Sequence, residues 1–341
     1  MIETKEKFAG EASSASAGLP SVSVVLCSHD RLHYVESCMA SLAEQTVGQD
    51  GFEIVLVDSG SPAPVAAEMK RIADETPNTR LVRLDSPGVS LARNKGARAA
   101  SGDYVAYIDD DVKATPEWIE RIQQVLAEGD QSPSVLGGKV LPIWESPLPE
   151  WWPSSLRGVL SIIEHDGAGE YRTDAVPADL EPYGVNMILN RDVMLEHGGF
   201  SEALGRQGLM LLSDEDVQLA WRLQDAGFSA IYDSRVVVGH SIQSKRLTPE
   251  WLLSRLYWQG ASTVRTRLML GEGAQVRKEL LRRLIVEAIT LPFTWIVPAR
   301  SSRLISLRWR HAYASGFRRE ALSGGLGKLA MLLRVRKLQP C

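Results

Sequence analysis

The stretch Gly102-Asp-Tyr-Val-Ala-Tyr-Ile-Asp-Asp-Asp-Val112 ends an apolar run with three consecutive aspartates, Asp109, Asp110 and Asp111. The alternating residues before them predict a buried strand, so the carboxylates emerge where the strand leaves the core. In open α/β sheets, ligands bind at that carboxyl end. Oxygen ligands suit Mg²⁺ or Mn²⁺, which keep positions open for phosphate oxygens. The triplet alone does not distinguish such a metal site from a solvated acidic loop.

Short apolar runs alternate with helical patterns around this stretch. The predicted strands are Val22–Cys27, Phe52–Asp58, Arg80–Leu84, Asp103–Asp109 and Ser134–Val140. The predicted helices between them are Arg31–Gln45, Pro64–Thr76, Ser90–Ala100 and Pro116–Glu128. This alternation is typical of a mostly parallel sheet with helices on both faces, so the predicted fold class is α/β.

The pattern breaks after residue 140. An irregular segment from Leu141 to Tyr183 contains six prolines, which indicates functional loops rather than core structure. Beyond it the sequence predicts strands at Val185–Leu189, Ala230–Tyr232 and Val236–Val238, and helices at Ser213–Ala226 and Pro249–Leu270.

Length and composition bound the class of protein. A chain of 341 residues, 44% of them hydrophobic, forms one large domain with an appendage, or two domains. No apolar stretch reaches the roughly 18 residues of a conventional membrane span. Residues 1–20 are polar and rich in Ala, Ser and Gly, which predicts a disordered lead-in. The three cysteines lack metal-ligand spacing and fit a reducing cytoplasm.

The net charge of −4 conceals two halves of opposite sign. Residues 245–341 contain 19 Lys and Arg against 5 Asp and Glu, a balance of +14, which leaves −18 for residues 1–244. A basic C-terminal part predicts contact with a polyanionic surface, either anionic lipid or nucleic acid.

Four motifs follow one another in a recognisable order. They are the two strand ends Cys27-Ser-His-Asp-Arg31 and Val57-Asp-Ser-Gly-Ser61, the segment Gly88-Val-Ser-Leu-Ala-Arg-Asn-Lys-Gly96 leading to the aspartate triplet, and Asp214-Glu-Asp-Val-Gln-Leu-Ala-Trp-Arg-Leu-Gln-Asp-Ala-Gly227. Together they resemble the family-2 glycosyltransferases, nucleotide-sugar enzymes of the GT-A fold, over roughly residues 21–240. The triplet matches the family's DXD element.

The resemblance implies roles for individual residues. It implies metal ligands at Asp109, Asp111 and His240. It implies nucleotide-sugar contacts at Ser28, His29, Asp30, Arg31, Asp58, Arg93, Asn94, Asp109 and Asp110. It implies a catalytic base in the pair Glu215-Asp216, with Asp216 the first choice and Glu215 the second.

Physical chemistry is compatible with the same roles. A metal neutralises the charge that develops on a leaving diphosphate, and an acceptor hydroxyl needs a positioned general base. Each residue also has a simpler interpretation. The acids at 214–216 could only cap a helix, His240 could be a core histidine, Asp58 a turn residue and Arg93 a surface residue.

The acceptor side is less defined. Trp151, Trp152 and Asp214 are candidate acceptor contacts. The two tryptophans could pack in the core, but the flanking prolines favour a loop position. The Gln-x-x-Arg-Trp signature of processive polysaccharide synthases is absent from its usual place, which favours transfer of a single sugar. A further departure is Ser59-Gly60 after Asp58, where many relatives carry Asn or Asp.

The C-terminal part contains an apolar stretch, Leu284–Pro298, that is too short to span a bilayer and is flanked by arginines and by Trp295 and Trp309. This composition is typical of an interfacial membrane helix. The alternative is a helical appendage packed on the catalytic domain. Nucleic acid is the weaker rival, because no groove-reading motif accompanies the basic residues.

These inferences combine into one expectation. The lead-in 1–20 precedes a GT-A catalytic domain at 21–244, with a nucleotide-sugar half at 21–140 and an acceptor half at 141–244. A basic helical extension follows at 245–341. The expected enzyme is inverting and uses Mn²⁺ or Mg²⁺. It takes a nucleotide-diphosphate sugar, with UDP as the expected nucleotide. The acceptor is a hydroxyl of a lipid-linked or cell-envelope glycan at the inner face of the cell membrane. A nucleotidyltransferase and a non-catalytic sugar-nucleotide scaffold are the alternatives.

Overall fold

The computed structural model describes residues 18–128, 132–206, 210–290 and 302–335. Most of the predicted lead-in 1–20 therefore lies outside the described residues, as do Cys341 and the second half of the apolar stretch Leu284–Pro298 with Trp295.

Strands and helices alternate along the first 130 residues, as the sequence predicts. The strands are β1 (Val22–Ser28), β2 (Glu53–Ser59), β3 (Thr79–Leu84), β4 (Tyr104–Asp109), β5 (Val112–Ala114), β6 (Val135–Trp144), β7 (Ala168–Glu170), β8 (Asn186–Asn190) and β9 (Ala230–Ile242). The helices are α1 (Leu32–Ala43), α2 (Ala63–Glu75), α3 (Val89–Ala99), α4 (Trp118–Ala127), α5 (Arg191–Glu196), α6 (Glu215–Asp225), α7 (Pro249–Met269), α8 (Gly273–Thr290) and α9 (Ser302–Val335).

The strands of the described residues form one sheet in the order β3-β2-β1-β4-β8-β6-β9-β5, with β7 pairing with β9. The first four run parallel, which places the carboxyl ends of β1, β2 and β4 at one edge. The second half is mixed, because β8 runs antiparallel to both β4 and β6. The α/β class is thus as predicted, but a mostly parallel sheet describes only its first half.

The two short strands predicted at Ala230–Tyr232 and Val236–Val238 form one strand, β9. Its pairing with β6 shifts register between Gly138 and Lys139, so the residues after Asp233 bulge out of the ladder. The Asp233 carboxylate accepts a hydrogen bond from the backbone N–H of Arg235 at 2.9 Å, which stabilises the bulge. A local turn within a continuous strand therefore produced the apparent gap in the sequence pattern.

Helix α7 begins at Pro249, after Thr248 accepts a capping hydrogen bond from the N–H of Trp251. It crosses α9 at close range, because Gly260 lies against the backbone of Tyr313 and Gly316 lies against the backbone of Tyr257. Among the described helices, none has both the length and the apolar content needed to cross a bilayer.

Candidate active site

A cavity of about 600 Å³ opens at the carboxyl ends of β1, β2 and β4. The aspartate triplet lies on one part of its wall, and the acids at the start of α6 lie on another. The irregular segment contributes Ser155, Gly158, Val159 and Ser161, and helix α7 contributes Arg255 and Gln259. Parallel strands and the later helices thus bring distant parts of the sequence to one space.

Asp110 is buried and accepts hydrogen bonds from Ser28 Oγ at 2.6 Å and from Arg31 Nη1 at 2.6 Å. Burial raises the pKa of Asp110 to about 7, although the charge of Arg31 opposes the increase. A buried carboxyl that is held by one arginine and one hydroxyl is fixed in orientation, with its charge partly compensated.

Asp111 makes the densest set of contacts in the site. Its Oδ2 accepts hydrogen bonds from Arg31 Nη2 at 2.8 Å and from Arg246 Nη2 at 2.9 Å, and its Oδ1 lies 3.4 Å from His240 Nε2. Burial acts to raise the pKa of Asp111, but the His240 hydrogen bond and the surrounding positive charges hold it well below its usual range.

The ring of His240 is oriented by a backbone contact. Its Nδ1 lies 3.0 Å from the carbonyl oxygen of Leu160, and because a carbonyl only accepts, Nδ1 carries a proton. A histidine that donates Nδ1–H to a carbonyl presents Nε2 as a ligand, an arrangement common at metal sites. Nε2 lies 3.4 Å from both Asp111 Oδ1 and Arg246 Nη1.

These residues fit a divalent cation. A separation of 3.4 Å between Nε2 and Oδ1 can be spanned by two ligands that each lie about 2.1 Å from one ion. Within the described ranges, no group of three or more His, Cys, Asp and Glu side chains converges on one point. Asp109, the third predicted metal ligand, is paired with Arg93 instead, so the metal site stays a prediction.

Arg93 connects the two groups of acids. Its Nη2 lies 3.0 Å from Asp109 Oδ1 and its Nη1 lies 2.9 Å from Glu215 Oε1. Gly184 makes room for this guanidinium, because a Cβ at that position would lie 2.5 Å from its nitrogens. Burial raises the pKa of Glu215 to about 7, assisted by the charge of Asp216 and opposed by Arg93.

Asp216 opens helix α6 with both carboxylate oxygens engaged by the backbone. Oδ2 accepts from Gly184 N–H at 2.7 Å and Oδ1 accepts from Val217 N–H at 2.8 Å. The preceding Asp214 adopts a left-handed conformation with φ of 71° and accepts from Ser213 Oγ and Gln259 Nε2. These contacts fix the orientation of the first turn of α6, whose acidic residues line the cavity.

Most of the residues singled out in the sequence line this cavity. They are Ser28, His29, Arg31, Arg93, Asp109, Asp110, Asp111, Asp214, Glu215, Asp216 and His240. Their roles stay predictions, since proximity alone assigns none.

Three predicted nucleotide contacts lie off the cavity wall. Asp58 is fully buried and accepts from Ser61 N–H and Arg83 Nη1, and Asn94 exchanges hydrogen bonds with the backbone of Phe200. Asp30 is exposed and adopts a left-handed conformation with φ of 53°.

The predicted acceptor tryptophans also lie off the wall. Trp152 is 6% exposed and packs in an apolar cluster with Leu160 and Leu252, and Trp151 packs against the same cluster. The adjacent residues 155–161 reach the cavity instead.

The structure adds cavity residues that the sequence interpretation did not include. They are Glu181, Tyr183, Arg206, Arg246, Arg255 and Gln259. Arg246 follows His240 by six residues, and this short spacing from a predicted metal ligand is a signal in the sequence that could have identified it. Glu181 and Tyr183 lie in an irregular segment without periodicity, which gave no signal.

Comparisons with known proteins agree with one another. Residues 23–143 match the sequence model of glycosyl transferase family 2. A glucosyl-dolichyl phosphate glucuronosyltransferase from Haloferax volcanii is 30% identical over 276 residues, which cover 78% of this chain and 83% of the relative. A pre-mycofactocin glycosyltransferase from Mycobacterium tuberculosis is 23% identical, over 62% of this chain and 42% of the relative.

Two solved structures share the fold at low identity. One is the mannosyltransferase PcManGT from Pyrobaculum calidifontis in complex with GDP-Man and Mn²⁺, with a TM-score of 0.59 and 18% identity over 90% of this chain and 88% of the other. The second is S. aureus TarS 1-349 in complex with UDP, with a TM-score of 0.51 and 16% identity over 90% and 92% of the two chains.

Proposed function

Because this chain belongs to glycosyltransferase family 2 and is a glycosyltransferase of the GT-A fold, we propose that it transfers one sugar from a UDP-sugar to an acceptor hydroxyl, with inversion and with a divalent metal. The observation that carries the proposal is the pair of acidic groups on the wall of one cavity, joined by Arg93. Family membership also sets aside the nucleotidyltransferase and scaffold alternatives.

The donor diphosphate binds at the aspartate triplet in this proposal. Asp109, Asp111 and His240 would hold Mn²⁺ or Mg²⁺, and the ion would neutralise charge on the departing diphosphate. Arg31 forms ion pairs with both Asp110 and Asp111, so its guanidinium already lies in the site. A small rotation of the side chain would let it bind a phosphate oxygen. The nucleotide would extend towards His29 and Ser59, which line the same cavity.

The acceptor hydroxyl loses its proton to Asp216. The two backbone N–H groups that bind Asp216 fix its carboxylate and leave further lone pairs to accept a proton. Glu215 is less suited to this role, because Arg93 occupies its Oε1. The oxygen then attacks the anomeric carbon as the bond to the diphosphate breaks. One displacement of this kind inverts the anomeric configuration and needs no covalent enzyme intermediate.

The acceptor is proposed to be a lipid-linked or cell-envelope saccharide. Support comes from the name of the Haloferax relative, which specifies a glucosyl-dolichyl phosphate substrate. The two solved structures of the same fold hold GDP-mannose and UDP, so the fold accommodates more than one base, and UDP remains part of the proposal.

A lipid-linked acceptor calls for contact with a membrane, and we place this at helix α8. Leu281, Ile285 and Ile289 recur every four residues and are 62%, 55% and 62% exposed. Basic side chains such as Lys278 and Arg282 lie on the same helix. An exposed apolar row with neighbouring basic groups fits the inner, anionic leaflet, so the enzyme would be cytoplasmic and peripheral.

A donor panel tests the proposal. The protein is incubated with Mn²⁺ and individual UDP-, GDP- and dTDP-sugars, first alone and then with a polyisoprenyl-phosphate-linked glucoside, and nucleotide release is measured. We expect release from a UDP-sugar that depends on Mn²⁺ and increases with the acceptor. Release that is unchanged by EDTA, or confined to another nucleotide, would contradict the metal or the base assignment respectively.

A further inference from the structure

Arg255 lines the active-site cavity from helix α7, and no hydrogen bond joins its side chain to another residue in the part of the chain that the structure describes. Its Nη1 atom is buried and makes no hydrogen bond, and no described residue forms an ion pair with this side chain. An arginine has five N–H donors and remains charged, so a cavity-lining guanidinium without an acceptor has unused binding capacity.

Arg206 lies on the same cavity wall and also has no hydrogen bond or ion pair with a described residue. The two positive charges are close enough to repel, and together with burial this repulsion lowers the pKa of Arg255, while Asp214 opposes the change. Two neighbouring guanidinium groups on one cavity wall can both donate hydrogen bonds to a bound anion.

None of the described acids on this wall is hydrogen-bonded to Arg255, although the charge of Asp214 acts on it. Asp214 Oδ1 is occupied by Ser213 and Gln259, Glu215 by Arg93, and Asp216 by backbone N–H groups. Asp179 and Glu181 also line this part of the cavity. Burial, followed by the charges of Asp214 and Asp216, raises the pKa of Glu181 to about 8. At neutral pH this carboxyl is mostly protonated and supplies little negative charge.

We infer that Arg255, with Arg206, binds an oxyanion of the substrate at a subsite distinct from the diphosphate site at Asp111. The inference rests on the proposed sugar transfer and adds a substrate class to it. Two sources carry the required chemistry: the phosphate of a lipid-linked acceptor and the carboxylate of a uronic-acid donor. Gln259 lies one helical turn beyond Arg255 and contacts Asp214, so the subsite adjoins the start of α6, where sugar and acceptor would meet.

Calorimetry with matched charged and neutral ligands separates the two sources. In the donor arm, UDP-glucuronate is compared with UDP-glucose in the presence of Mn²⁺. In the acceptor arm, geranyl phosphate is compared with geraniol in the presence of UDP and Mn²⁺. Each arm uses the wild type, Arg255→Gln, Arg255→Lys and the control Arg267→Gln. Arg267 lies near the end of the same helix, with only Glu272 at 4.0 Å as an ionic neighbour.

In one of the arms, we expect the wild type to favour the charged ligand by roughly 10- to 100-fold, the range for a charge-assisted hydrogen bond. Arg255→Gln should remove that preference and Arg255→Lys should retain part of it, while UDP affinity stays within about threefold. Because Gln preserves much of the side-chain volume, the melting temperature of each variant checks that it folds.

Three results would overturn the inference. They are the absence of a charge preference in both arms, a preference that survives in Arg255→Gln, and a loss of UDP affinity as large as the loss for the charged ligand. The last would assign Arg255 to the diphosphate. If the wild type failed to bind UDP at all, the proposed function would fail as well, whereas UDP binding without a charge preference would overturn only this subsite.

Discussion

Arg93 lies on α3, yet it contacts acids that come from β4 and from α6, more than a hundred residues apart in the sequence. Its side chain is almost fully buried and lies 5.5 Å from the ring of Phe200, measured to the ring centroid. A buried arginine with two carboxylate partners holds them at a fixed spacing, because removing either partner leaves an unpaired charge. The spacing between Asp109 and Glu215 therefore depends on this side chain.

Asp111→Asn tests the metal assignment at the scale of a single residue. We expect the variant to lose the improvement in UDP affinity that Mn²⁺ gives the wild type, while its metal-free UDP affinity changes little. Asn is preferable to Ala, because deleting the carboxylate would leave Arg246 buried without a partner, at a cost of about 3–5 kcal/mol. Calorimetry with Mn²⁺ or EDTA measures the effect, with the exposed Asp192→Asn as control. An undiminished Mn²⁺ effect would remove Asp111 from the metal site.

Glu181 gives the site a predictable pH dependence of stability. Its folded pKa of about 8 exceeds the usual glutamate value of 4.5, so between these pH values the folded protein retains a proton that the unfolded chain has lost. Stability therefore decreases as pH rises through this window. Glu181→Gln removes that titration, so the variant should have a higher Tm than the wild type at pH 8 and no higher Tm near pH 4. The expected increase is about 2–4 °C for each kcal/mol gained in the free energy of unfolding. Equal Tm differences at both pH values, or the same gain in the exposed control Glu150→Gln, would contradict the raised pKa.

The sequence indicated those site residues that lie in contiguous motifs. The triplet and the acids at 214–216 could be found because strand ends and helix starts carry local patterns. Arg255 and Glu181 could not be found in this way. Their position in the cavity depends on how α7 and the irregular segment pack against the sheet, which no short-range pattern encodes.

At the scale of elements, the close crossing of α7 and α9 holds in place the helix that carries part of the cavity wall. Helix α7 carries Arg255 and Gln259, and its opposite side meets α9 where Gly260 and Gly316 allow backbone contact. The predicted boundary between residues 244 and 245 assigns α7 to the extension, although it contributes to the cavity wall. That boundary stays a prediction.

Gly316→Ala should separate the two helices. A Cβ at this position would overlap the carbonyl oxygen of Tyr257, and backbone atoms cannot move aside without shifting a helix. We expect a loss of about 1–3 kcal/mol in the free energy of unfolding, with reduced turnover. Gly273→Ala is the matched control, because its Cβ would have its nearest neighbours at 3.8 Å. Scanning calorimetry that gives both variants the same Tm would contradict a tight crossing.

Element by element, the first half of the sheet was predictable and the second half was not. Each of β1, β2 and β3 is followed by a helix that leads to the next strand, and parallel order results from such local units. Strand β8 enters between β4 and β6 in the opposite direction after a long irregular connection. Its direction depends on contacts distant in the sequence, so the alternation of apolar residues could identify the strand but not its orientation.

At the scale of the whole molecule, the acidic catalytic part and the basic C-terminal part face different partners in our proposal. Helices α7 and α9 pack together, and Trp309 is half-buried in the cluster that contains Trp152. Helix α8 differs, because its apolar row remains exposed. A chain ending near Leu270 would uncover the α9-facing side of α7, so point substitutions in α8 are the better test of membrane contact.

The triple variant Leu281→Ser, Ile285→Ser, Ile289→Ser should lose binding to anionic vesicles. Wild-type binding should weaken as salt rises, because exposed charges are screened. Co-sedimentation with phosphatidylcholine vesicles, with and without phosphatidylserine, at two salt concentrations provides the measurement. Leu141→Ser, which alters an exposed apolar residue on β6, is the control. Wild-type protein absent from every vesicle pellet would contradict the membrane proposal.

Turnover by Asp216→Asn tests the central claim, that the cavity performs base-assisted sugar transfer, most directly. The substitution keeps the shape of the side chain and removes its ability to take a proton. With the best donor, Mn²⁺ and a polyisoprenyl-phosphate-linked glucoside, kcat should fall by about 100-fold or more, the range for loss of a general base, while the Kd for UDP stays unchanged. A kcat within a few-fold of the wild type would contradict the assignment of Asp216 and, with it, the proposed geometry of transfer.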